Sequence, residues 1–140
     1  MKKDAMKNIS KEIKDQARDF MPIEAINDFI SLISPWEDRI QSFFFQIKSG
    51  ETPTLEFGAH LGKVVVDLTY SQNQHQINHL TLSTLDWLQR TETGQYTALS
   101  LNSGGSQALL YQAEGSDSRQ RLKDYATHLE NILGDETKWK

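Results

Sequence analysis

Apolar residues in the first third of the chain recur every three or four positions, the spacing of one helix face. The residues Ser34-Pro35-Trp36-Glu37 then offer an N-cap, a proline for the first helical position and a capping glutamate. These cues predict a third helix from Pro35 to Ser49, although the run Phe43-Phe44-Phe45 alone would also suit a strand. The two preceding helical stripes are Met6, Ile9, Ile13, Ala17 and Phe20, then Ile23, Ile26, Ile30 and Ile33.

The middle of the chain alternates apolar and polar residues, which is typical of β-strands with one buried face. Leu61-Gly62 lies between the first two alternating segments, 54–59 and 64–70, and predicts a tight hairpin turn. A third extended segment begins near Gln76 and continues towards Arg90, although Leu-rich residues 82–88 also fit a short helix. Turns at 92–94 and 102–105 then delimit two more strands, so we expect a five-stranded antiparallel meander.

The last third closes with a helical stripe of Leu122, Tyr125, Ala126, Leu129, Ile132 and Leu133, followed by Gly134. The predicted fold class is therefore α+β: N-terminal helices, the five-stranded meander, and a C-terminal amphipathic helix packed on one face of the sheet. We expect one domain over residues 1–140, in which residues 1–20 form an amphipathic helical extension that could be mobile.

Composition narrows the chemistry available to the chain. The 140 residues include no cysteine, which excludes disulfides, cysteine-ligated metal centres and a thiol nucleophile. The net charge is −4, and basic residues at the N-terminus alternate with acidic ones, so nucleic acid is not an expected partner. No apolar run is long enough to span a membrane and no secretory signal is evident, so we expect neither membrane association nor export, but a cytoplasmic location.

One set of residues could carry chemistry on the predicted sheet. With a turn at Leu61-Gly62, Glu56 lies opposite Asp67, and with a second turn centred on Asn73, Asp67 lies opposite His79. Two carboxylates and an imidazole in a row could bind a divalent cation or act as an acid/base set. The competing interpretation is an ordinary solvent-exposed sheet face, and a one-residue change of register would scatter the row.

The remaining candidates are weaker. His60 and His75 lack a third ligand at the right spacing for zinc, and His128 is expected at the helix surface. No phosphate-binding loop, dinucleotide-binding motif or nucleophile elbow occurs, so no cofactor is expected. Four aromatic residues could mark a partner-binding surface, because such side chains are enriched at interfaces: Trp87, Tyr96, Tyr111 and Trp139.

The layout from Thr81 to Gly134 resembles the second half of class I type III secretion chaperones. In both, a leucine-rich segment precedes two strands around a glycine turn and an amphipathic closing helix. The small size and acidity of the chain are also similar to those proteins. The resemblance implies a chaperone-like protein that binds another protein, while the predicted Pro35–Ser49 helix and the long N-terminal segment depart from the family's compact start.

The main functional hypothesis is a small cytosolic, non-enzymatic protein-interaction domain, such as an adaptor, chaperone or inhibitor-like domain, which could form a homodimer. It depends on the shortage of catalytic motifs and on outer strands that could accept a partner strand. The alternatives are a metal-binding or hydrolase-like protein that uses Glu56, Asp67 and His79, and a type III secretion chaperone-like protein.

Overall fold

A computed structural model describes residues 2–48, 51–71 and 74–134, with side chains described from Ile9 onward. The chain begins with two helices, α1 and α2, and a 3₁₀ helix, continues through seven strands, and ends with helix α3. The bounds are α1 Lys2–Ala17, α2 Ile23–Ile33, 3₁₀ Ser34–Arg39, β1 Ser42–Lys48, β2 Thr54–Leu61, β3 Val64–Ser71, β4 Gln74–Thr81, β5 Leu85–Glu92, β6 Thr97–Ser103, β7 Ser106–Ala113 and α3 Ser116–Leu133.

The strands form two antiparallel sheets rather than one. The first sheet has the order β1-β2-β3-β4 and the second has the order β5-β6-β7. A second 3₁₀ turn, Leu82–Thr84, leads from β4 into β5 and places the fully buried Leu82 against the second sheet. Every connection between neighbouring strands within a sheet is short, as expected for antiparallel hairpins.

The first sheet is buried on both faces. One face packs against α1 and α2, whose apolar stripes contribute Ile13, Ala17, Ile26 and Phe29 to a shared core. The opposite face contributes residues such as Phe44 to a second core, together with the inner face of β5–β7 and the stripe of α3. The molecule is therefore layered as helices, four-stranded sheet, and then three-stranded sheet with α3.

The predicted helix from Pro35 to Ser49 is wrong. The capping signals do begin a helical segment, with Pro35 near its start, but it ends after six residues at Arg39. Phe44 and Phe45 then point into the two different cores from neighbouring positions of β1. A strand that is buried on both faces needs consecutive apolar residues, and this requirement explains the Phe43-Phe44-Phe45 run. Ser49 itself lies outside the described residues.

The five-stranded meander is also wrong in its strand count and in its single sheet. The segment that was predicted to run from Gln76 towards Arg90 is broken at Leu82–Thr84, so its two halves join different sheets. The coarser prediction is confirmed: the fold is α+β, with N-terminal helices, antiparallel strands and a C-terminal helix on the sheets. The buried stripe of α3 follows the predicted spacing, and Gly134 is its C-cap. Among the described helices, none has the length and apolarity required to cross a bilayer.

The turn between β2 and β3 gives the first testable prediction. Gly62 has φ of +78°, a left-handed conformation that costs residues with a Cβ about 1–2 kcal/mol. A Cβ at Gly62 meets only the side chain of Gln41, at 3.9 Å, so conformational strain is the main effect. We expect Gly62→Ala to lower the free energy of unfolding by about 1 kcal/mol.

Chemical denaturation measures this difference, with Gly94→Ala as the matched control. Gly94 also lies in a turn, has no positive φ, and has open space where a Cβ would be placed. The control should leave stability unchanged or raise it by up to about 1 kcal/mol, because alanine reduces the conformational freedom of the unfolded chain. Equal effects of the two substitutions would contradict the assignment of strain to Gly62.

Candidate functional site

The predicted row of Glu56, Asp67 and His79 is not assembled in the structure. Asp67 lies opposite Gly58 on one side and Asn78 on the other. Glu56 lies opposite Thr69, and His79 lies opposite Val66. His79 also points to the opposite face from Asp67, where its ring lies 6.4 Å from that of Trp36. No group of three or more His, Asp or Glu residues that could hold a metal ion occurs within residues 2–48, 51–71 and 74–134.

The shift has a simple origin in the turns. Leu61 pairs with Val64, so the β2–β3 turn consists of Gly62 and Lys63 rather than Leu61 and Gly62. The second hairpin closes at Ser71 and Gln74, one position from the expected register; its centre, Asn73, lies outside the described residues. Because side chains alternate between the faces of a strand, these changes separate His79 from both carboxylates.

Asp67 serves as the centre of a buried polar contact between the two sheets. Tyr111 of β7 donates its hydroxyl to Asp67 Oδ1 at 2.7 Å, and the Asn78 amide donates to Oδ2 at 3.2 Å. The face that the sequence suggested as solvent-exposed is thus covered, and Asp67 is only 7% exposed. Burial, followed by the charges of nearby groups that include Asp67, raises the pKa of Tyr111 well above its ordinary value.

Gly58 makes this contact possible. It lies directly opposite Asp67 in the β2–β3 pairing, and a Cβ placed on it would be 2.6 Å from the Tyr111 hydroxyl oxygen. Real Cβ contacts are never this close, so a larger residue would displace the phenol from the carboxylate. The glycine within β2 therefore marks a close approach between the sheets.

Tyr125 of α3 lies in the same core as Tyr111, but its hydroxyl has no hydrogen-bond partner among the described residues. Its ring is fully buried, and its hydroxyl is the one buried side-chain polar atom without a hydrogen-bond partner in the part of the chain that the structure describes. Burial, and secondarily the Asp67 charge, raises the pKa of Tyr125. The phenol is therefore held in its neutral form, and its hydroxyl is not compensated for the loss of water.

Two histidines that the sequence analysis did not group together are in contact where α3 packs on the first sheet. His60, 1% exposed, has its Nδ1 3.0 Å from Nε2 of His128, and its own Nε2 contacts the Gly62 carbonyl. Since a carbonyl only accepts, neutral His60 carries its proton on Nε2 and its Nδ1 accepts from His128. Burial lowers the pKa of His60, and the Gly62 carbonyl partly opposes that effect. His128 is thus half-buried rather than at the helix surface.

A third polar contact joins β1 to β7. The Gln46 amide donates to Glu56 Oε1 at 2.6 Å and to the main-chain carbonyl of Gln112 at 2.9 Å. Lys48 Nζ lies 3.4 Å from the other oxygen of Glu56. Glu56 of β2 is therefore held by an amide and an ammonium group of the edge strand β1.

The outward face of β5–β7 differs from these interior contacts because no described element covers its centre. Trp87 and Leu110 are 52% and 48% exposed on it. The residues that the strand register places on this side carry no charge, although 24% of the residues in the chain are charged. We call this set of residues the uncharged face: Trp87, Gln89, Thr91, Ala98, Ser100, Asn102, Gln107, Leu110 and Gln112.

The uncharged face continues into a cavity of about 600 Å³. Leu110 and Gln112 belong to both, and the far wall is formed by Gln46, Ile47 and Lys48 of β1. Glu114 and the start of α3 close the cavity. The surface is therefore concave at the β7 side, with the charged residues Lys48 and Glu114 at the rim.

The four predicted partner-binding aromatic residues do not form one surface. Trp87 lies on the uncharged face, but Tyr111 is buried on the opposite side of the second sheet. Tyr96 is half-buried in the β5–β6 turn, and Trp139 lies outside the described residues. Sequence reasoning missed Leu110, although the run Leu109-Leu110-Tyr111 contains the signal: three consecutive apolar residues on a strand place one of them outward.

The buried tyrosines give a paired prediction. Tyr111→Phe removes a hydrogen bond to a buried carboxylate and should lower the free energy of unfolding by about 1.5–3 kcal/mol. Tyr125→Phe removes only the hydroxyl that has no partner and should leave stability unchanged or slightly raised. Denaturant titration of both variants tests this pair, and equal destabilisation would contradict the assigned contacts.

His60 predicts a pH dependence of stability. Because its folded-state pKa is lowered, the unfolded chain binds a proton more readily, and folding loses stability as the pH falls below about 6.5. His60→Gln removes this group. We expect the stability of the wild type, measured relative to that of the variant, to be greatest near pH 8 and to decrease towards pH 5. A difference that is constant with pH would contradict the lowered pKa.

Comparison with known proteins identifies no relative. No protein-family description matches the chain, no curated protein matches it, and no solved structure matches its fold. The resemblance of residues 81–134 to class I type III secretion chaperones therefore stays a prediction from the pattern of elements. The candidate function depends on the surfaces described above.

Proposed function

We propose that this chain is a non-enzymatic protein-interaction domain that binds a partner protein through the uncharged face. The observation that carries the proposal is the pair Trp87 and Leu110, both about half exposed on a surface without charged residues. Interface centres are depleted in charge and enriched in tryptophan, and a few such residues supply most of the binding energy.

The lack of charge on this face restricts which side chains of a partner protein can bind to it. A charged group placed against it would lose water and find no opposite charge, which costs free energy. We therefore infer that the bound segment presents apolar and neutral polar side chains. Gln89, Ser100 and Gln112 offer amide and hydroxyl groups for its hydrogen bonds, and the cavity beside Leu110 has room for one of its side chains. Lys48 and Glu114 at the rim would set orientation rather than affinity.

The interior polar residues favour this proposal over an enzyme. Asp67 is engaged by Tyr111 and Asn78, and Glu56 by Gln46 and Lys48. These contacts connect one sheet to the other or hold the sheet edge, so each carboxylate has a structural role in the fold. A cytoplasmic location is part of the proposal and depends on the sequence alone.

Two double variants test the proposal. Trp87→Ser with Leu110→Ser removes the apolar centre of the face, while Phe20→Ser with Ile23→Ser is the matched control. Phe20 and Ile23 are 48% and 52% exposed, the same fractions as Leu110 and Trp87, but lie at the N-terminal helices. Wild type and both variants are used as bait in the native lysate, and a protein that is lost only with the first variant is identified and purified.

Titration of this purified protein with wild type and with the variants then measures the dissociation constant of each complex. Loss of a central aromatic anchor costs about 2 kcal/mol or more, so we expect binding to weaken at least about 30-fold for Trp87→Ser and to be unchanged for the control. Capture of the same proteins by wild type and both variants would contradict the proposal. So would an unchanged dissociation constant for Trp87→Ser.

A further inference from the structure

Strand β4 is the last strand of the first sheet, and no described strand pairs with its outer edge. All eight residues, Gln74–Thr81, are exposed or half-buried, and the pairing with β3 is continuous without a bulge. Natural sheets usually protect such edges with charged residues, proline, bulges or a covering element, because unpaired main-chain groups attract another strand. β4 contains no Lys, Arg, Asp, Glu or Pro.

The hairpin geometry identifies the free main-chain groups. Ser71 and Gln74 flank a two-residue loop and so form a hydrogen-bonded pair, after which bonded and non-bonded pairs alternate. The even-numbered residues of β4 therefore bond to β3, and those that face outward are His75, Ile77, His79 and Thr81. The same alternation, followed through β3 and β2, leaves Phe45 facing the free edge of β1, where its carbonyl accepts from Arg121 at 3.1 Å.

The other three sheet edges differ from β4. On the first sheet, α3 lies along β1 and Arg121 occupies the Phe45 carbonyl. On the second sheet, β7 receives the Gln46 amide at the Gln112 carbonyl, and β5 carries Asp86, Arg90 and Glu92. β7 is also uncharged, but one of its carbonyls is occupied and its pairing with β6 contains a bulge. Among the described edge strands, β4 is therefore the one that is uncharged, regularly paired and without a recorded side-chain contact to its edge.

We propose that the β4 edge binds the β4 edge of a second copy of this chain, so that two four-stranded sheets become one eight-stranded sheet. The charge of each copy, −4, opposes close approach, and an uncharged strand is where two copies can meet without like charges face to face. Asn78 carries both a donor and an acceptor, so the two copies of this side chain can bond to each other across a two-fold axis.

One antiparallel register uses every free group. If the two-fold axis passes beside Asn78, Ile77 of each copy lies opposite His79 of the other, and His75 lies opposite Thr81. All four outward-facing residues then pair with outward-facing residues, which gives four mutually bonded pairs. A single strand pair buries less surface than a standard interface, so we expect a dimer that dissociates on dilution.

A charge on the edge tests the proposal. Ile77→Lys places two ammonium groups near the axis, while Ile23→Lys adds the same charge at an exposed site on α2. We expect wild type and the Ile23 variant to sediment at up to twice the 16.0 kDa chain mass as concentration rises. The Ile77 variant should stay monomeric, with association weakened at least about tenfold. Because Ile77 is exposed, its circular dichroism should match wild type.

Residue-resolved hydrogen exchange distinguishes this edge from other dimer surfaces. In concentrated wild-type samples, the amides of His75, Ile77, His79 and Thr81 should become protected, whereas those of Gln76 and Asn78 are protected at every concentration. A wild type that is monomeric throughout would overturn the proposal, as would dimers of Ile77→Lys or dimers without new protection at these four amides. The Trp87 and Leu110 double variant should still dimerise, so this test and that of partner binding fail independently.

Discussion

The hydrogen bond between Tyr111 and Asp67 is the contact on which the arrangement of the two sheets depends. It places a phenol from the second sheet over the middle of the first, and Gly58 leaves the space that the hydroxyl occupies. A buried carboxylate is costly unless it is hydrogen-bonded, so Asp67 requires donors at this position. Tyr111 and Asn78 supply them, one from each sheet. The apolar core packs the second sheet on the first, and the hydrogen bonds of this carboxylate are satisfied in that arrangement.

A four-stranded sheet covered on both faces explains several features of the chain that otherwise conflict with simple patterns. β1 presents Phe44 and Phe45 to different cores, so its apolar residues are consecutive rather than alternating. The stripes of α1 and α2 cover one side and that of α3 covers the other. With both faces of the first sheet occupied, the free edge of β4 and the outward face of β5–β7 are the sheet surfaces that we propose for binding.

The polar contacts that stabilise the fold and the surfaces that we propose for binding therefore lie in different parts of the molecule. Three side chains that could suggest chemistry are bonded within the fold: Asp67, Glu56 and His60. Glu56 is bonded by Gln46, and His60 lies between His128 and the Gly62 carbonyl. The candidate binding surfaces are instead uncharged, and they are recognised by the exposed apolar residues and open main-chain groups that they present to solvent.

The sequence by itself determined the α+β class, the two N-terminal helices and the stripe of α3, because each depends on local spacing and capping. It indicated a turn at Gly62 but placed it one residue too early. It did not determine the secondary structure of Phe43-Phe44-Phe45, because three consecutive apolar residues fit both a helix and a strand that is buried on both faces. Only the presence of the second core favours the strand. The predicted row of Glu56, Asp67 and His79 does not form, because the position of a turn determines to which face of the sheet each residue of the following strand points. Asp67 and Tyr111, 44 residues apart, meet only when the sheets pack, and no local pattern encodes that contact.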